Sequence, residues 1–146
     1  MPTDSATKSL TIDAPLEAVL ETIRAVETQP NWVTEILEAE VLEEYEDGTP
    51  ATARFKASTP VGSDRYTLEY EHSDDGMTWH LLEGRLQTGQ DASYELRRLG
   101  PKRTDVTFRL TVSHNLPLPG FIRSRVINGL ASSTVCGLKE YLEGSD

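Results

Sequence analysis

Residues 113–146, SHNLPLPGFIRSRVINGLASSTVCGLKEYLEGSD, decide the fold. Two prolines and a glycine, Pro117, Pro119 and Gly120, open this stretch, and no strand-like alternation follows them. Apolar residues then recur at spacings near three and four, which is typical of one face of a helix. Pro119 or Gly120 starts the helix, because proline suits a helix start and cannot continue a strand ladder. The pattern therefore predicts a long C-terminal helix whose apolar stripe needs a partner layer.

The segment between Gly48 and His114 predicts that partner, because apolar and polar residues alternate along it. Short turn signals, among them Asp-Asp-Gly at 74–76 and Pro-Lys-Arg at 101–103, separate the alternating runs. Strands joined by such short turns pair antiparallel, and here one face is apolar while the other is charged. A second layer must cover the apolar face. We therefore predict an α+β fold in which a curved antiparallel sheet wraps around the C-terminal helix.

The upstream residues predict a first strand and two short helices. Residues 8–14, KSLTIDA, alternate as a strand does, whereas the residues up to Ala6 are expected to fray. Residues 14–28, APLEAVLETIRAVET, predict a helix, because the proline suits its start and the apolar residues form a stripe. Pro30 breaks that helix, and a short helical turn through Trp32 follows.

The acidic run at 35–48, EILEAEVLEEYEDG, fits two structures. Its Glu, Leu and Ala residues favour a helix, yet Leu37, Ala39 and Val41 alternate as a strand would. Local propensity alone favours the helix. The charge of the run is typical of a solvated face, and the alternative is a docking surface for a basic partner.

Length and composition predict a single domain over residues 1–146. The formal net charge of −10 repels phosphate backbones and anionic lipid surfaces, so nucleic acid is not expected as a partner. Stable membrane insertion is not expected either, because no apolar stretch is long enough, and no signal peptide is evident. The single cysteine, Cys136, excludes an internal disulfide, is expected to be packed and inert, and favours a reducing, cytoplasmic location.

The order of these elements resembles the polyketide cyclase/dehydrase and lipid-transport family of START-like (SRPBCC) proteins, which have the helix-grip fold. The segments that carry the resemblance are IDAPLEAVLETI (12–23), QPNWVTEI (29–36), MTWHLLEG (77–84) and LPLPGFIRSRV (116–126). The match extends from about Ser9 to Glu143. It implies a sheet of about seven strands, two short helices between strands 1 and 2, and a strand over 35–47. It also implies a hydrophobic cavity between the sheet and the C-terminal helix.

The sequence departs from the family at residues 86–96, LQTGQDASYEL, where members often have a small glycine-rich approach to the sixth strand. Gln90 and Asp91 stand in the middle of this segment. If both side chains point inward, the cavity is more polar than is usual in the family.

Inward positions on the strands and on the C-terminal helix supply the candidate ligand-binding residues. Aromatic side chains fall in the inward phase of several strands, which fits either a filled core or the apolar wall of a small-molecule site. Buried tyrosine hydroxyls need a partner, and a ligand or water can supply it. The resemblance favours the cavity. The candidates are Trp32, Phe55, Tyr66, Leu68, Trp79, Leu81, Tyr94, Phe108, Leu110, Val126, Leu130 and Thr134.

Catalytic chemistry has few candidates in this sequence. His114 ends the last strand in phase with Val112 and could act as an acid or base at a cavity mouth. Glu83 is predicted to share the inward phase of its strand, and Asp91 is a third candidate. No His or Cys pair has the spacing of a metal site, and no phosphate loop or dinucleotide fingerprint is present. Neither a metal nor a cofactor is therefore predicted.

Three functions fit these observations. The first is binding or transport of a hydrophobic small molecule, such as a lipid, polyketide or isoprenoid-like compound, by a monomer or weak dimer. The second is an enzyme of the cyclase, aromatase or dehydratase type, which needs an acid or base inside the same cavity. The third is a protein-interaction module, like ribosome-associated or chaperone-associated relatives of this fold, with the acidic second strand as its surface. The resemblance favours binding over catalysis.

Overall fold

The computed structural model describes residues 3–115 and 117–144, which form one antiparallel sheet, two α-helices and a 3₁₀ helix. In chain order the elements are β1 (Thr3–Ile12), α1 (Leu16–Arg24), the 3₁₀ helix (Val26–Asn31), β2 (Ile36–Glu44), β3 (Pro50–Thr59), β4 (Gly62–Ser73), β5 (Gly76–Gly84), β6 (Gln87–Gly100), β7 (Arg103–His114) and α2 (Gly120–Glu143). The strand order is β1-β7-β6-β5-β4-β3-β2. The predicted α+β helix-grip fold, with two short helices between the first two strands, is confirmed.

β1 begins at Thr3, so the prediction of fraying is wrong for residues 3–6, whereas residues 1 and 2 lie outside the described residues. β1 pairs with β7 along its whole length, from Thr3 opposite Ser113 to Ile12 opposite Thr104. This ladder pairs the backbone groups on one side of β1, which is an edge strand, and Ala6 is buried in the core. The start of β1 is therefore part of the sheet.

The acidic run forms β2, as the resemblance implies and against its local helix propensity. β2 lies at an edge of the sheet and pairs with β3. The register shifts at Leu37, at Leu42 and again between Glu43 and Glu44, and the side chains of Leu37 and Leu42 are exposed. Ile36, Ala39 and Val41 consequently lie on the inward side of the strand. Pairing with β3 and burial of this side outweigh the propensity of the isolated segment.

α2 begins directly after Pro119, whose extended backbone (φ −60°, ψ 152°) provides the stiff entry that the sequence predicts. The helix is 24 residues long, and one stripe of it is buried against the sheet, chiefly against β1 and β7. The buried residues of α2 are Ile127, Ala131, Thr134, Val135 and Leu138. The spacing of this stripe matches the period of a helix, so α2 is the partner layer that the apolar face of the sheet requires.

α2 also passes very close to the backbone that follows the 3₁₀ helix. A Cβ atom at Gly137 would lie 1.7 Å from the carbonyl oxygen of Trp32, so only glycine fits there. Trp32 is buried at this crossing, and its ring centroid lies 6.4 Å from that of Tyr141. Cys136 points away from the buried stripe and is exposed, which corrects the expectation of a packed thiol.

Candidate functional site

A cavity of about 500 Å³ lies between the first half of α2 and the strand ends that face it. Both layers of the fold contribute to its walls, and it is partly open to solvent. The lining residues are Asp4, Glu35, Ile36, Ala57, Ser58, Thr59, Pro60, Asp64, Tyr66, Leu86, Gln87, Gln90, Val112, His114, Leu118, Arg123, Arg125, Val126, Ile127, Gly129 and Leu130.

The candidate ligand-binding residues from the sequence divide between the cavity wall and the core. Tyr66, Val126 and Leu130 line the cavity. Thr134 lies one turn further along α2, where its hydroxyl donates to the carbonyl oxygen of Leu130 at 2.8 Å. Trp32 lies at the other end of α2 and is not part of the cavity wall.

The remaining candidates pack beside the cavity and do not line it. Their rings contact one another: the centroids of Tyr94 and Phe108 are 5.0 Å apart, and those of Trp79 and Tyr94 are 5.5 Å apart. Phe55 lies opposite Tyr66 in the register, and the two rings stack with their centroids 5.5 Å apart. This part of the molecule corresponds to the filled-core interpretation of the aromatic pattern. The residues concerned are Phe55, Leu68, Trp79, Leu81, Tyr94, Phe108 and Leu110.

Asp64 is a buried carboxylate in the cavity wall, with only 1% of its surface exposed. The backbone N–H of Leu86 donates to its Oδ1 at 2.8 Å, and the side-chain amide of Gln87 donates to its Oδ2 at 3.1 Å. No lysine or arginine among the described residues forms an ion pair with it. Asp64 is not among the site residues predicted from the sequence, although the alternation of Tyr66 and Leu68, extended by two residues, places it on the inward face of β4.

Tyr66 follows Asp64 on the same face of β4. Its hydroxyl makes no hydrogen bond with any of the residues that the structure describes. Burial, and to a smaller extent the charge of Asp64, raises the pKa of Tyr66 well above its ordinary value. The hydroxyl therefore stays protonated, so the wall carries a donor beside an acceptor.

A second polar group joins the end of β7 to the start of α2. Nε2 of His114 lies 2.8 Å from Oδ2 of Asp4, and Nε of Arg123 donates to the same oxygen at 3.2 Å. The side chains of His114, Asp4 and Arg123 are only 7%, 13% and 23% exposed. His114 lies in the cavity wall, in line with its inward phase. Asp4 was not predicted as a site residue, because it falls in the segment expected to fray. Arg123 was not predicted either, because the local sequence around it contains no recognisable motif.

Glu83 does not face the cavity, and the inward phase predicted for it is wrong. Leu81 lies opposite Leu68, but Glu83 lies opposite Thr67, so Leu82 is an extra residue in β5. Such a bulge shifts the alternation by one position. Glu83 is consequently exposed on the outer side of the sheet.

Asp91 also lies on the outer side of the sheet, where it is exposed and opposite His80. Its neighbour Gln90 lines the cavity. Of the two polar residues at which the sequence departs from the family, Gln90 therefore makes the cavity more polar. Tyr94 is buried in the core and does not line the cavity. Of the acid and base candidates from the sequence, the cavity wall therefore contains His114.

Two further observations hold for residues 3–115 and 117–144. These residues contain no group of three or more His, Cys, Asp and Glu side chains that could hold a metal ion. They also contain no helix that is long and apolar enough to cross a membrane.

The amino-acid sequence of this chain matches a known protein family. The family model described as polyketide cyclase/dehydrase and lipid transport matches residues 12–139. This match confirms the resemblance seen in the sequence. No curated protein matches the chain significantly.

Solved structures share the fold at low sequence identity. A START superfamily protein from Mycobacterium smegmatis is 22% identical, with a TM-score of 0.87 over 96% of this chain and 97% of that chain. A protein from Thermus thermophilus is 22% identical, with a TM-score of 0.79 over 98% of both chains. The Zhui aromatase/cyclase from a Streptomyces species is 12% identical, with a TM-score of 0.73 over 97% of this chain and 94% of that chain.

Proposed function

Since the chain belongs to the polyketide cyclase/dehydrase and lipid transport family, we propose that it binds and carries a hydrophobic small molecule between the sheet and α2. The cavity supports this proposal, because its volume of about 500 Å³ is typical of small-molecule sites. A space of that size far exceeds the room that a few water molecules need. The ligand class is a lipid, a polyketide or an isoprenoid-like compound.

The two layers of the fold offer such a ligand an apolar contact surface. Leu86 and Val112 face the cavity from the sheet side, and Ile127 and Leu130 face it from α2. Burial of apolar surface contributes about 25 cal/mol per Å², so desolvation of the ligand body supplies most of the binding free energy. Polar side chains in the wall then fix the orientation of the ligand.

Native mass spectrometry of the protein, purified without organic solvent, tests the proposal. We expect a bound species of one small molecule per chain that disappears after extraction with organic solvent. The extracted protein should then bind an apolar fluorescent probe such as pyrene. A protein that carries no small molecule and binds no apolar probe would contradict the proposal.

A matched pair of helix variants locates the binding. Leu130→Trp places a larger side chain in the cavity, whereas Leu142→Trp makes the same change in the last turn of α2, outside the cavity. We expect Leu130→Trp to weaken binding of pyrene at least tenfold and Leu142→Trp to leave it unchanged. Equal effects of the two variants would place the probe elsewhere on the protein.

The buried position of His114 favours a second candidate, an enzyme of the cyclase, aromatase or dehydratase type. The histidine lies in the cavity wall beside Asp4, where it could transfer a proton to or from a bound polyketide-like substrate. In that case His114→Gln would abolish turnover of a poly-β-ketone probe and preserve its binding. His80→Gln, on the exposed outer face, is the matched control. Absence of turnover by the unaltered protein excludes this candidate for that probe.

The proposed setting of this activity is the cytoplasm, with the protein acting as a monomer or weak dimer. The exposed Cys136 is compatible with a reducing compartment, because an exposed thiol oxidises readily elsewhere. Sedimentation analysis with and without a reducing agent tests both the oligomeric state and the behaviour of this thiol.

A further inference from the structure

The wall of the cavity contains a polar pair, Asp64 and Tyr66, for which the fold itself provides no complete set of partners. Both residues lie on the inward face of β4, both line the cavity, and they are 1% and 7% exposed. A buried carboxylate without a cation is costly. The hydroxyl of Tyr66 is not among the fully buried polar atoms of the described residues, and it has no hydrogen-bond partner among them. Each of these groups therefore favours a partner that comes from inside the cavity.

The hydrogen bonds already present define what that partner must offer. The donors from Leu86 and Gln87 occupy one position on each oxygen of Asp64, and a carboxylate has about four acceptor positions. Asp64 can therefore accept a further hydrogen bond from a ligand. The hydroxyl of Tyr66 has no partner among the described residues, and it donates to a ligand acceptor.

From this pair we infer that the ligand has a hydroxylated head group, such as a phenol or an alcohol, which lies against Asp64 and Tyr66. A hydroxyl both donates and accepts, so it satisfies both side chains. An ether or a ketone can accept from Tyr66 but offers nothing to Asp64. A carboxylate is repelled by Asp64, because two anions would share a poorly hydrated site. The inference rests on the proposed binding function and adds the chemical class of the ligand.

Four probes with the same apolar body test the inference: pyrene, 1-hydroxypyrene, 1-methoxypyrene and pyrene-1-carboxylate. Their dissociation constants are measured by titration calorimetry and fluorescence on the extracted protein. We expect 1-hydroxypyrene to bind about tenfold more tightly than 1-methoxypyrene, because a hydrogen bond to a charged group favours it. Equal affinities for these two probes would overturn the hydroxyl site and leave the binding function intact.

Two other outcomes of the same series are equally informative. Tightest binding of the carboxylate would overturn the inference, because it would place the head group at the arginines that line the cavity, Arg123 and Arg125. Failure of all four probes to bind would contradict the proposed binding function itself. The two hypotheses can therefore fail separately.

Variants of Asp64 and Tyr66 test whether these two residues cause the preference for the hydroxylated probe. Asp64→Asn should lower the ratio of 1-methoxypyrene to 1-hydroxypyrene dissociation constants from about ten to below about three. Tyr66→Phe should instead weaken binding of both oxygenated probes relative to pyrene, because both accept a hydrogen bond from its hydroxyl. The controls are Tyr94→Phe, which removes a buried hydroxyl outside the cavity, and Asp91→Asn, which changes an exposed carboxylate. If Asp64→Asn does not fold, the nearly isosteric Tyr66→Phe still tests the site, because it should raise the dissociation constants of both oxygenated probes and leave that of pyrene unchanged. A ratio that stays at about ten in folded Asp64→Asn, or unchanged affinities of folded Tyr66→Phe for both oxygenated probes, would overturn the inference.

Discussion

Gly137 determines how closely α2 approaches the backbone at Trp32. We predict that Gly137→Ala lowers the free energy of unfolding by about 2 kcal/mol or more, because its Cβ would collide with a carbonyl group that cannot rotate away. Urea denaturation followed by circular dichroism measures the change. The control is Gly129→Ala on the same helix, where a Cβ meets nothing within 4 Å.

Gly129→Ala should raise the free energy of unfolding by about 0.5–1 kcal/mol, because alanine has the higher helix propensity. If the free energy of unfolding falls for Gly137→Ala and rises for Gly129→Ala, the loss at Gly137 comes from the contact with Trp32 and not from a change in helix propensity. A stabilising effect of Gly137→Ala would show that α2 can move away from Trp32 at little cost.

Asp4 connects β1 to both His114 and Arg123. We predict that Asp4→Ala lowers the free energy of unfolding by about 2 kcal/mol, because it removes a charge-assisted hydrogen bond and leaves largely buried polar groups without their acceptor. Thermal denaturation at neutral pH measures the loss. The exposed ion pair between Glu17 and Arg98 gives the contrast.

Glu17→Ala should leave the melting temperature nearly unchanged, because exposed ion pairs contribute little to stability. Equal losses from the two alanine variants would contradict a special role of Asp4.

The residues of the cavity show where prediction from the sequence succeeds. The alternation of β4 is regular, so Tyr66 was expected inside and Asp64 follows from the same rule. Glu83 could not be placed correctly, because the bulge at Leu82 arises from the pairing of β5 with β4. A shift of this kind is a property of two strands, and the sequence of one strand does not contain it.

Among the elements, β2 combines an exposed edge position with a high density of glutamates. Glu38, Glu40, Glu43 and Glu44 are all exposed, and charged side chains on an edge strand oppose pairing with another molecule. The backbone N–H of Val41 is satisfied by Oε2 of Glu27, at 2.8 Å. Protection of the edge against pairing with another molecule is therefore one physical role of the acidic run.

The last turn of α2 is attached to the segment between β1 and α1 through Glu143. Its Oε2 accepts from Nζ of Lys139 at 2.7 Å and from the backbone N–H of Asp13 at 2.6 Å. These hydrogen bonds, the first being the larger effect, hold the pKa of Glu143 below its ordinary value of 4.5. The stabilisation is therefore present above pH 4.5 and is lost as the pH falls through the lowered pKa.

We predict that Glu143→Gln lowers the melting temperature at pH 7 and that the difference from the unaltered protein shrinks as the pH falls below 4.5. Melting curves across that pH range test this. Glu140→Gln, at an exposed position of the same helix, should show no such convergence. A difference that is independent of pH would indicate that the carboxylate charge plays no part.

At the scale of the whole molecule, burial of aromatic residues affects the alkaline limit of stability. Three of the five tyrosines, Tyr66, Tyr70 and Tyr94, are buried, and burial raises the pKa of each above the ordinary value of 10. Because the folded state favours the protonated form, this contribution is fully present below pH 10 and is lost as the pH rises beyond it.

We therefore predict that the tyrosinate absorbance of these three residues appears only together with alkaline unfolding. Simultaneous recording of tyrosinate absorbance and circular dichroism measures both events. Ionisation of all five tyrosines while the circular dichroism remains native would contradict the prediction.

The fold was predictable from periodicity, but the dimensions of the cavity were not. The alternation from Gly48 to His114 and the stripe after Gly120 each indicate one layer, and the two layers need each other. The prediction that residues 35–47 form a strand depended on the family resemblance, because the local propensity of this segment favours a helix. The aromatic pattern could not distinguish a wall from a filled core, since that depends on how side chains of both layers fit together.

The pairing of β1 with β7 has a kinetic consequence for a chain made from its N-terminus. The first strand is synthesised first, yet its ladder partner spans Arg103–His114. β2 to β7 can pair in succession as they emerge, each with the strand made just before it. The backbone of β1 has no ladder partner until β7 is made. Closing the long loop between these two strands is slow. This pairing brings the first strand to the last strand of the sheet, and only then is Asp4 in place beside the cavity.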